Sequence, residues 1–369
     1  MGKYQFNEIT LLQYVSILAG AQIGIGILSL PAETAKIVGT DGWISIILGW
    51  VLSVIAGLVI VHIMEKHPED TIFELLQRYF GKWLGRTLCS AFVLYTLLAA
   101  TTVLLTSIHL VQVWILPLTP NYLLMILFIV PGFLAARHGI RVIGRYSEIV
   151  FYSMLGIPLL LLVSVREGYF LHLLPLVKEG WIPILKAVKS TILSYLGFEL
   201  AFLLYPFLKE KRKAKKGIII ANTISMFIFV FVTVICYLFY SPNEITKYIW
   251  PTLSLLKSLE FPFMERFEIV FLTYYLFVLS TTWIPYMFTA VFGTREILNR
   301  NNHVSILLIF VVAYTTVSFF YNPPLATLQK LSSWWGKTGL YTGYLFPVFL
   351  FIYVALFNWV QRGMKNEKN

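Results

Sequence analysis

The sequence predicts an all-α polytopic membrane protein whose ten transmembrane helices form two inverted five-helix repeats. Apolar residues make up 58% of the 369 residues and charged residues only 13%, whereas soluble domains hold about 45–50% and about 25%. The mean hydropathy is +0.76, and the charges cluster between long apolar stretches. Two of these stretches, in corresponding positions of the two halves, are interrupted by glycine, which is the pattern of an inverted repeat.

Ten apolar stretches meet the length of about 20 residues that a membrane-spanning helix needs. Their approximate limits are 9–35, 42–64, 85–115, 121–137, 144–164, 184–207, 217–240, 268–292, 303–321 and 339–361. The first stretch is too long for the apolar region of a cleavable signal peptide, so we expect it to stay in the membrane. We predict one transmembrane domain over 1–369, with a first repeat over about 9–165 and a second over about 184–361.

Lysine and arginine set the predicted orientation, because cytoplasmic loops carry an excess of them. With the N-terminus in the cytoplasm, 19 of the 29 Lys and Arg residues fall on the cytoplasmic side. An even number of spans then leaves both termini cytoplasmic. These loops account for the net charge of +11. We expect them to contact anionic membrane lipid, and we expect no nucleic acid as a partner.

The first span is interrupted by Gly24, Gly26 and Pro31. Glycine weakens a helix, and proline lacks the N–H that would bond back along it. In lipid an unpaired backbone group is costly, so such a break marks a binding site near the middle of the membrane. Backbone groups of Gly24, Ile25, Gly26 and Ile27 at the positive end of the following half-helix suit a carboxylate. The alternative is that the two glycines only permit close helix packing.

The sixth span carries a matching interruption at Gly197. Unwinding there frees carbonyl groups that can accept an ammonium group. Tyr195 and Phe198 are candidates for the walls of the pocket, or they only pack in the core. Glu199 lies well inside the span, where a charge is costly and faces a cavity or a partner. It pairs with a ligand amine or carries a proton, or else it stabilises the break without touching ligand.

Each half also has a helix-start signal after its second span. Thr71 with Glu74, and Ser241 with Glu244, fit the spacing of a capping box. The first pair falls on the cytoplasmic side and the second on the other side. Five helices per repeat is an odd number, so the second half is predicted to be upside down relative to the first.

The segment Gly24-Ile25-Gly26-Ile27-Leu28-Ser29-Leu30-Pro31 resembles the GxGIxxLP-like break of the amino acid–polyamine–organocation superfamily. Within that group the chain is most similar to the spore germination permease family, the B subunits of nutrient germinant receptors. The length, the ten predicted helices, the very short tails and the pattern from Gln13-Tyr14 to Pro31 carry this resemblance.

The resemblance implies a LeuT-type fold. It also implies a complex with an A subunit and a C lipoprotein subunit in the spore inner membrane, where the receptor senses amino acids, sugars or nucleosides. In LeuT-like transporters, hydroxyl groups of helix 8 join helix 1 carbonyls around a sodium ion. Ser280, Thr281 and Thr282 fall in that region, and oxygen ligands suit a hard cation. These hydroxyls can instead bond back to their own helix.

Two functions follow from these residues and the resemblance. The first is a sensor that binds a small nutrient, with an amino acid expected, at the helix 1/helix 6 break. The second is a secondary active amino-acid transporter coupled to sodium or protons, and an ion or water conduit is a third alternative. No other cofactor is expected. Cys89 and Cys236 lack a CxxC partner, and no P-loop, GxSxG or HExxH motif occurs, so the sequence predicts neither a metal centre nor an enzyme.

Overall fold

The computed structural model describes residues 7–178, 180–258, 266–300 and 302–366, which are mostly helical. The α-helices are α1 (Leu11–Ile23), α2 (Gly26–Val38), α3 (Gly42–Glu65), α4 (Ile72–Trp114), α5 (Asn121–Arg137), α6 (Ile140–Met154), α7 (Ile157–Leu160), α8 (Trp181–Tyr195), α9 (Ala201–Leu204), α10 (Ala214–Phe239), α11 (Pro251–Lys257), α12 (Phe267–Leu298), α13 (His303–Phe320), α14 (Leu325–Gly339) and α15 (Phe346–Asn366). A π-helical segment, Leu340–Leu345, joins α14 to α15 without a break.

The predicted all-α membrane fold is confirmed. Seven helical stretches in the described part of the chain are long and apolar enough to cross a membrane, or eight if the bent pair Trp181–Tyr195 and Phe198–Phe207 is one span. The apolar helices α1 and α5 are shorter. Length and composition therefore do not establish ten spans, and that count stays a prediction.

The helix that contains the tenth predicted span, 339–361, is longer than that span. It begins at Leu325 and continues through the π-helical segment to Asn366. Polar side chains of α14, among them Gln329, Ser332 and Lys337, lower the local hydropathy, and these side chains face an internal cavity. A helix that lines a water-accessible cavity lacks the apolar signal on which span prediction depends.

The two expected capping boxes have different outcomes. Thr71 and Glu74 form the complete box at the start of α4, with the Thr71 N–H 2.8 Å from Glu74 Oε2. The box at Ser241 is wrong, because only a 3₁₀ turn, Ile245–Lys247, follows it. Ser241 Oγ does accept from the Glu244 N–H at 3.3 Å. The Glu244 carboxylate, however, accepts from the Tyr248 hydroxyl at 3.3 Å.

A short backbone pairing fixes the relative direction of the two interrupted helices. The Ile9 N–H donates to the Phe207 carbonyl at 2.9 Å, and the Lys209 N–H donates to the Ile9 carbonyl at 3.0 Å. This pairing brings the start of helix 1 and the end of helix 6 to the same end of the bundle. The two helices therefore run in opposite directions, as an inverted repeat requires.

The interrupted helices lie in the centre of the bundle. Every residue of α1 from Gln13 to Ile23 is buried, and the most apolar window of Glu268–Leu298 is 89% buried, against 17% for that of His303–Phe320. A helix that is apolar all round and buried by other helices belongs to the interior, whereas one that is apolar but exposed faces lipid. The centre of the molecule is thus formed by α1, α12 and the broken helix that contains α8.

Candidate functional site

Helix 1 is interrupted at Gly24 and Ile25, between α1 and α2. Hydroxyl groups of neighbouring elements donate hydrogen bonds to carbonyl oxygens at the interruption. Tyr275 donates to the Gly24 carbonyl, and Thr252 donates to the Ile27 carbonyl at 2.9 Å. The N-terminus of α2 has no side-chain cap, so its partial positive charge is left for another group.

Helix 6 is interrupted at Leu196 and Gly197, before a 3₁₀ turn over Phe198–Leu200, and its two arms are bent by 49°. Gly197 has a φ of +134°. A Cβ at this position would lie 2.9 Å from both the Ala21 Cβ and the Gln22 backbone nitrogen. Only glycine suits both this conformation and this approach. The two interruptions therefore pack directly against each other.

The other two glycines of the break also make close contacts. A Cβ on Gly26 would lie 2.5 Å from the Ser194 Oγ, and a Cβ on Gly24 would lie 2.9 Å from the Thr282 Oγ1. Both glycines therefore permit close helix packing, which is the alternative interpretation of their role. Contact of their backbone with a ligand stays a prediction.

Gln22 connects the two broken helices to a third helix. Its amide Nε2 donates to the Tyr195 carbonyl at 3.2 Å and to the Asn222 Oδ1 at 2.8 Å. Its Oε1 accepts from the Ser225 hydroxyl at 2.6 Å. All four residues are buried. A buried polar network stabilises one arrangement when each member has its partners, so Gln22 fixes α1, α8 and α10 together.

Glu199 is fully buried and its carboxylate has three donors. Oε1 accepts from the hydroxyls of Tyr95 and Tyr286, each at 2.5 Å, and Oε2 accepts from the Gly197 N–H at 2.8 Å. The Trp335 ring stands edge-on to Tyr286, with 5.7 Å between centroids. This geometry favours the alternative in which Glu199 stabilises the helix 6 break, because protein groups occupy both carboxylate oxygens.

The three hydroxyl residues of α12, which is the eighth predicted span, have different surroundings. Ser280 and Thr281 donate to carbonyls of their own helix at 2.6 and 2.7 Å, and Ser280 also lies 2.5 Å from the Tyr146 hydroxyl. Two of them reach helix 1 at Gly20. Thr282 donates to the Gly20 carbonyl at 2.9 Å, and the Thr281 hydroxyl packs against the same glycine, where a Cβ would lie 2.6 Å from its Oγ1. Of the three predicted cation ligands, Thr282 is the one hydrogen-bonded to a helix 1 carbonyl. Sodium at this position stays a prediction.

A cavity of about 640 Å³ reaches the break from the end of the bundle opposite Ile9. It lies between α2, α8, α14 and the segment before α11. Its lining comprises Ile25, Ser29, Ala32, Glu33, Lys36, Thr106, Lys189, Ser190, Ile192, Leu193, Ile249, Trp250, Leu325, Leu328, Gln329, Ser332, Ser333, Gly336, Lys337, Leu340 and Tyr341. Its volume lies within the range of small-molecule sites, about 300–1,000 Å³.

Among the predicted ligand residues, Ile25 lines this cavity and the others do not. The Tyr195 hydroxyl donates to the Ile46 carbonyl at 3.0 Å. The Phe198 ring packs edge-on against Tyr344, with 5.1 Å between centroids. Both predicted wall residues are therefore held in the core in this conformation.

The fold is that of secondary transporters. The chain is similar to a Na⁺-coupled sialic acid symporter in a substrate-bound outward-open state, with a TM-score of 0.68 over 93% of this chain and 79% of the symporter. It is also similar to MhsT in complex with L-phenylalanine, with a TM-score of 0.57 over 94% and 88%. Sequence identities are 12% and 11%, so these likenesses establish the LeuT-type fold and nothing about ligands.

The sequence comparisons identify the family. A family model described as Spore germination protein matches residues 8–324, and the chain belongs to this family. It is 29% identical to Spore germination protein GerQB of Bacillus cereus, over 91% of this chain and 90% of that protein. It is 27% identical to Spore germination protein A2 of Bacillus subtilis strain 168, over 95% and 96%. The chain is thus a transporter-like spore germination protein.

Several residues of the site were not identified from the sequence. Gln22 and Asn222 could have been found, because an amide inside an apolar span is a signal of a buried polar contact. Tyr95, Tyr275 and Tyr286 carry no such signal among 21 tyrosines. Their roles depend on which helix face meets the break, and that is a property of the tertiary structure.

The contact between Gly26 and Ser194 gives a first prediction. A methyl group on Gly26 would overlap the Ser194 side chain. We expect Gly26→Ala to destabilise the protein by about 1–3 kcal/mol, seen as a lower melting temperature in detergent. Ser194→Gly in the same chain should restore most of the loss.

Gly336→Ala is the matched control, because a Cβ there would meet nothing closer than 3.5 Å. It should not lower the melting temperature, because alanine fits there and is the better helix former. A Gly26→Ala defect that persists in the double variant would contradict the packing role.

The hydrogen bonds of Glu199 give a second prediction. Glu199→Gln replaces one of the two oxygens that accept from Tyr95, Tyr286 and the Gly197 N–H with an amide N–H₂ group, and a buried donor left without an acceptor costs about 1–3 kcal/mol. We expect a clear fall in melting temperature. Tyr95→Phe should cost less in the Glu199→Gln background than in the native one, because the amide oxygen of glutamine is a weaker acceptor than a carboxylate oxygen. Additive losses would mean that the Tyr95–Glu199 bond does not contribute.

Proposed function

We propose that this protein is the nutrient-sensing B subunit of a spore germinant receptor, and that a small nutrient binds at the helix 1/helix 6 break. The cavity that ends at Ile25 carries the proposal. It gives a water-accessible route to the uncapped N-terminus of α2, and a helix N-terminus attracts an anionic group. A carboxylate at this position makes an amino acid the favoured nutrient.

Further parts of the proposal concern the complex and its location. They are association with receptor A and C subunits, residence in the spore inner membrane, cytoplasmic termini and the absence of catalysis. In this arrangement the cavity opens on the side away from the spore core, and a nutrient arriving from outside meets Lys36, Lys189 and Lys337 first. Binding acts by stabilising one conformation over another, and the partner subunits respond to that shift.

Vectorial transport is the alternative activity of the same site. It needs a coupling ion or proton, for which Thr282 beside the Gly20 carbonyl is the best-placed oxygen pair. A sensor needs only differential binding, so both activities are compatible with this fold.

Ligand-dependent thermal stabilisation of the purified protein tests the proposal. Amino acids, sugars and nucleosides are screened with and without sodium. A true ligand at one hundred times its Kd should stabilise the folded state by about 2.7 kcal/mol. Uptake into liposomes by the same preparation then separates transport from sensing alone.

Ile25→Trp locates the site, because a large ring at the end of the cavity should abolish the stabilisation. Ile37→Trp is its control, since Ile37 lies on the same helix, is exposed and is outside the cavity lining. Stabilisation that survives Ile25→Trp would place the ligand elsewhere. No stabilisation by any compound would contradict an autonomous nutrient site.

A further inference from the structure

The cavity is strongly cationic on three sides. Lys36 of α2, Lys189 of α8 and Lys337 of α14 all line it, and Glu33 is the one acidic residue in its lining. The three lysines come from three separate helices, so no local sequence feature groups them. The fold brings them to one cavity.

These lysines differ from the lysines at the other end of the bundle. Lysines of the segment 211–215 pair with Glu69, Glu210 and Glu65, at distances of 2.6–3.4 Å. Across the described residues, no ion pair involves any of the three cavity lysines. Glu33 interacts electrostatically with Lys36, three residues later on α2, whereas no carboxylate pairs with Lys189 or Lys337 in the described part of the chain.

The remaining cavity lining combines polar groups with an apolar base. Ser332, Ser333 and Gln329 lie on the same helix as Lys337, and Ser190 follows Lys189 directly. Ile25 and Leu193 supply apolar surface near the break. A cleft with charge of one sign and low-dielectric walls focuses the field and concentrates counter-charged solutes. Hydroxyl and amide groups beside the charges can donate to carboxylate oxygens.

We propose that this cavity is a binding site for a small molecule of net negative charge, held by its carboxylate groups between Lys36, Lys189 and Lys337. The site is formed by the cavity walls and does not depend on a nutrient occupying the break. Three lysines against one glutamate favour an anion over a zwitterion. Ser332 and Ser333 orient the carboxylates, and the apolar base accepts the carbon skeleton.

Succinate binding to the full-length protein, purified in lipid-free detergent, tests this site. Thermal stabilisation is measured at constant ionic strength, with chloride replacing succinate in the reference. Succinate should stabilise the protein saturably and more strongly than succinamide, its uncharged diamide, does. Phosphate at the same concentration should stabilise it less, and stronger binding of phosphate would overturn the carboxylate assignment.

The decisive variant is Lys36→Gln/Lys189→Gln/Lys337→Gln. An exposed ion pair contributes up to about 1 kcal/mol, or up to about fivefold in affinity, so the triple change should weaken succinate binding by about tenfold or more. The matched control is Lys247→Gln/Lys257→Gln/Lys330→Gln, whose lysines are exposed and lie outside the lining. It should bind succinate normally. Equal losses in both variants would overturn the proposal, because they would indicate a diffuse charge effect.

Glu33→Gln tests the same site through a gain of binding. Removing the one carboxyl group from the lining should strengthen succinate binding about threefold, a gain that a folding defect does not produce. Weaker or unchanged binding in this variant would overturn the proposed role of charge. This arm remains informative if the triple variant does not fold.

Discussion

Where a helix unwinds inside a membrane, its backbone N–H and C=O groups have no water with which to form hydrogen bonds. In this protein the two interrupted helices contact each other directly, and protein groups form hydrogen bonds with the backbone there. Gly197 brings helix 6 against Gln22, and the Gln22 amide bonds the Tyr195 carbonyl at the point where α8 ends. Glu199 accepts from the Gly197 N–H and is held by two tyrosines of other helices. The helix 6 break is therefore stabilised in part by Gln22 of helix 1, whereas Tyr275 and Thr252 satisfy carbonyl groups of the helix 1 break.

The sequence predicted the elements that depend on local chemistry. Gly24, Gly26 and Gly197 mark both interruptions, and Thr71 with Glu74 marks the start of α4. Whether a side chain points into a cavity depends on how its helix is rotated about the helix axis. The limits of the apolar spans do not determine that rotation. Phe198 packs on Tyr344 in this conformation, and its contact with a ligand stays a prediction. The cavity lysines were assigned only to loops and orientation, because their three helices are far apart in the chain.

The centre and the cavity have different physical characters. Around the breaks, hydroxyls, amides and carbonyls bond to one another at short distances, and the side chains are buried. The cavity wall carries lysines without ion pairs in the described part of the chain. A tightly bonded centre favours a few discrete arrangements over continuous deformation. In such a protein a ligand acts by changing the populations of these arrangements, whether or not anything crosses the membrane.

The uninterrupted helix from Leu325 to Asn366 is roughly 60 Å long at 1.5 Å per residue, about twice the thickness of the hydrocarbon core. One part lines the cavity at Lys337. Further along, the Tyr353 ring stacks on Phe80 of α4, with 4.4 Å between centroids. The π-helical segment lies between these two contacts, beside Glu199. One continuous helix thus joins the cavity to the contact with α4, over a length that exceeds the thickness of the hydrocarbon core.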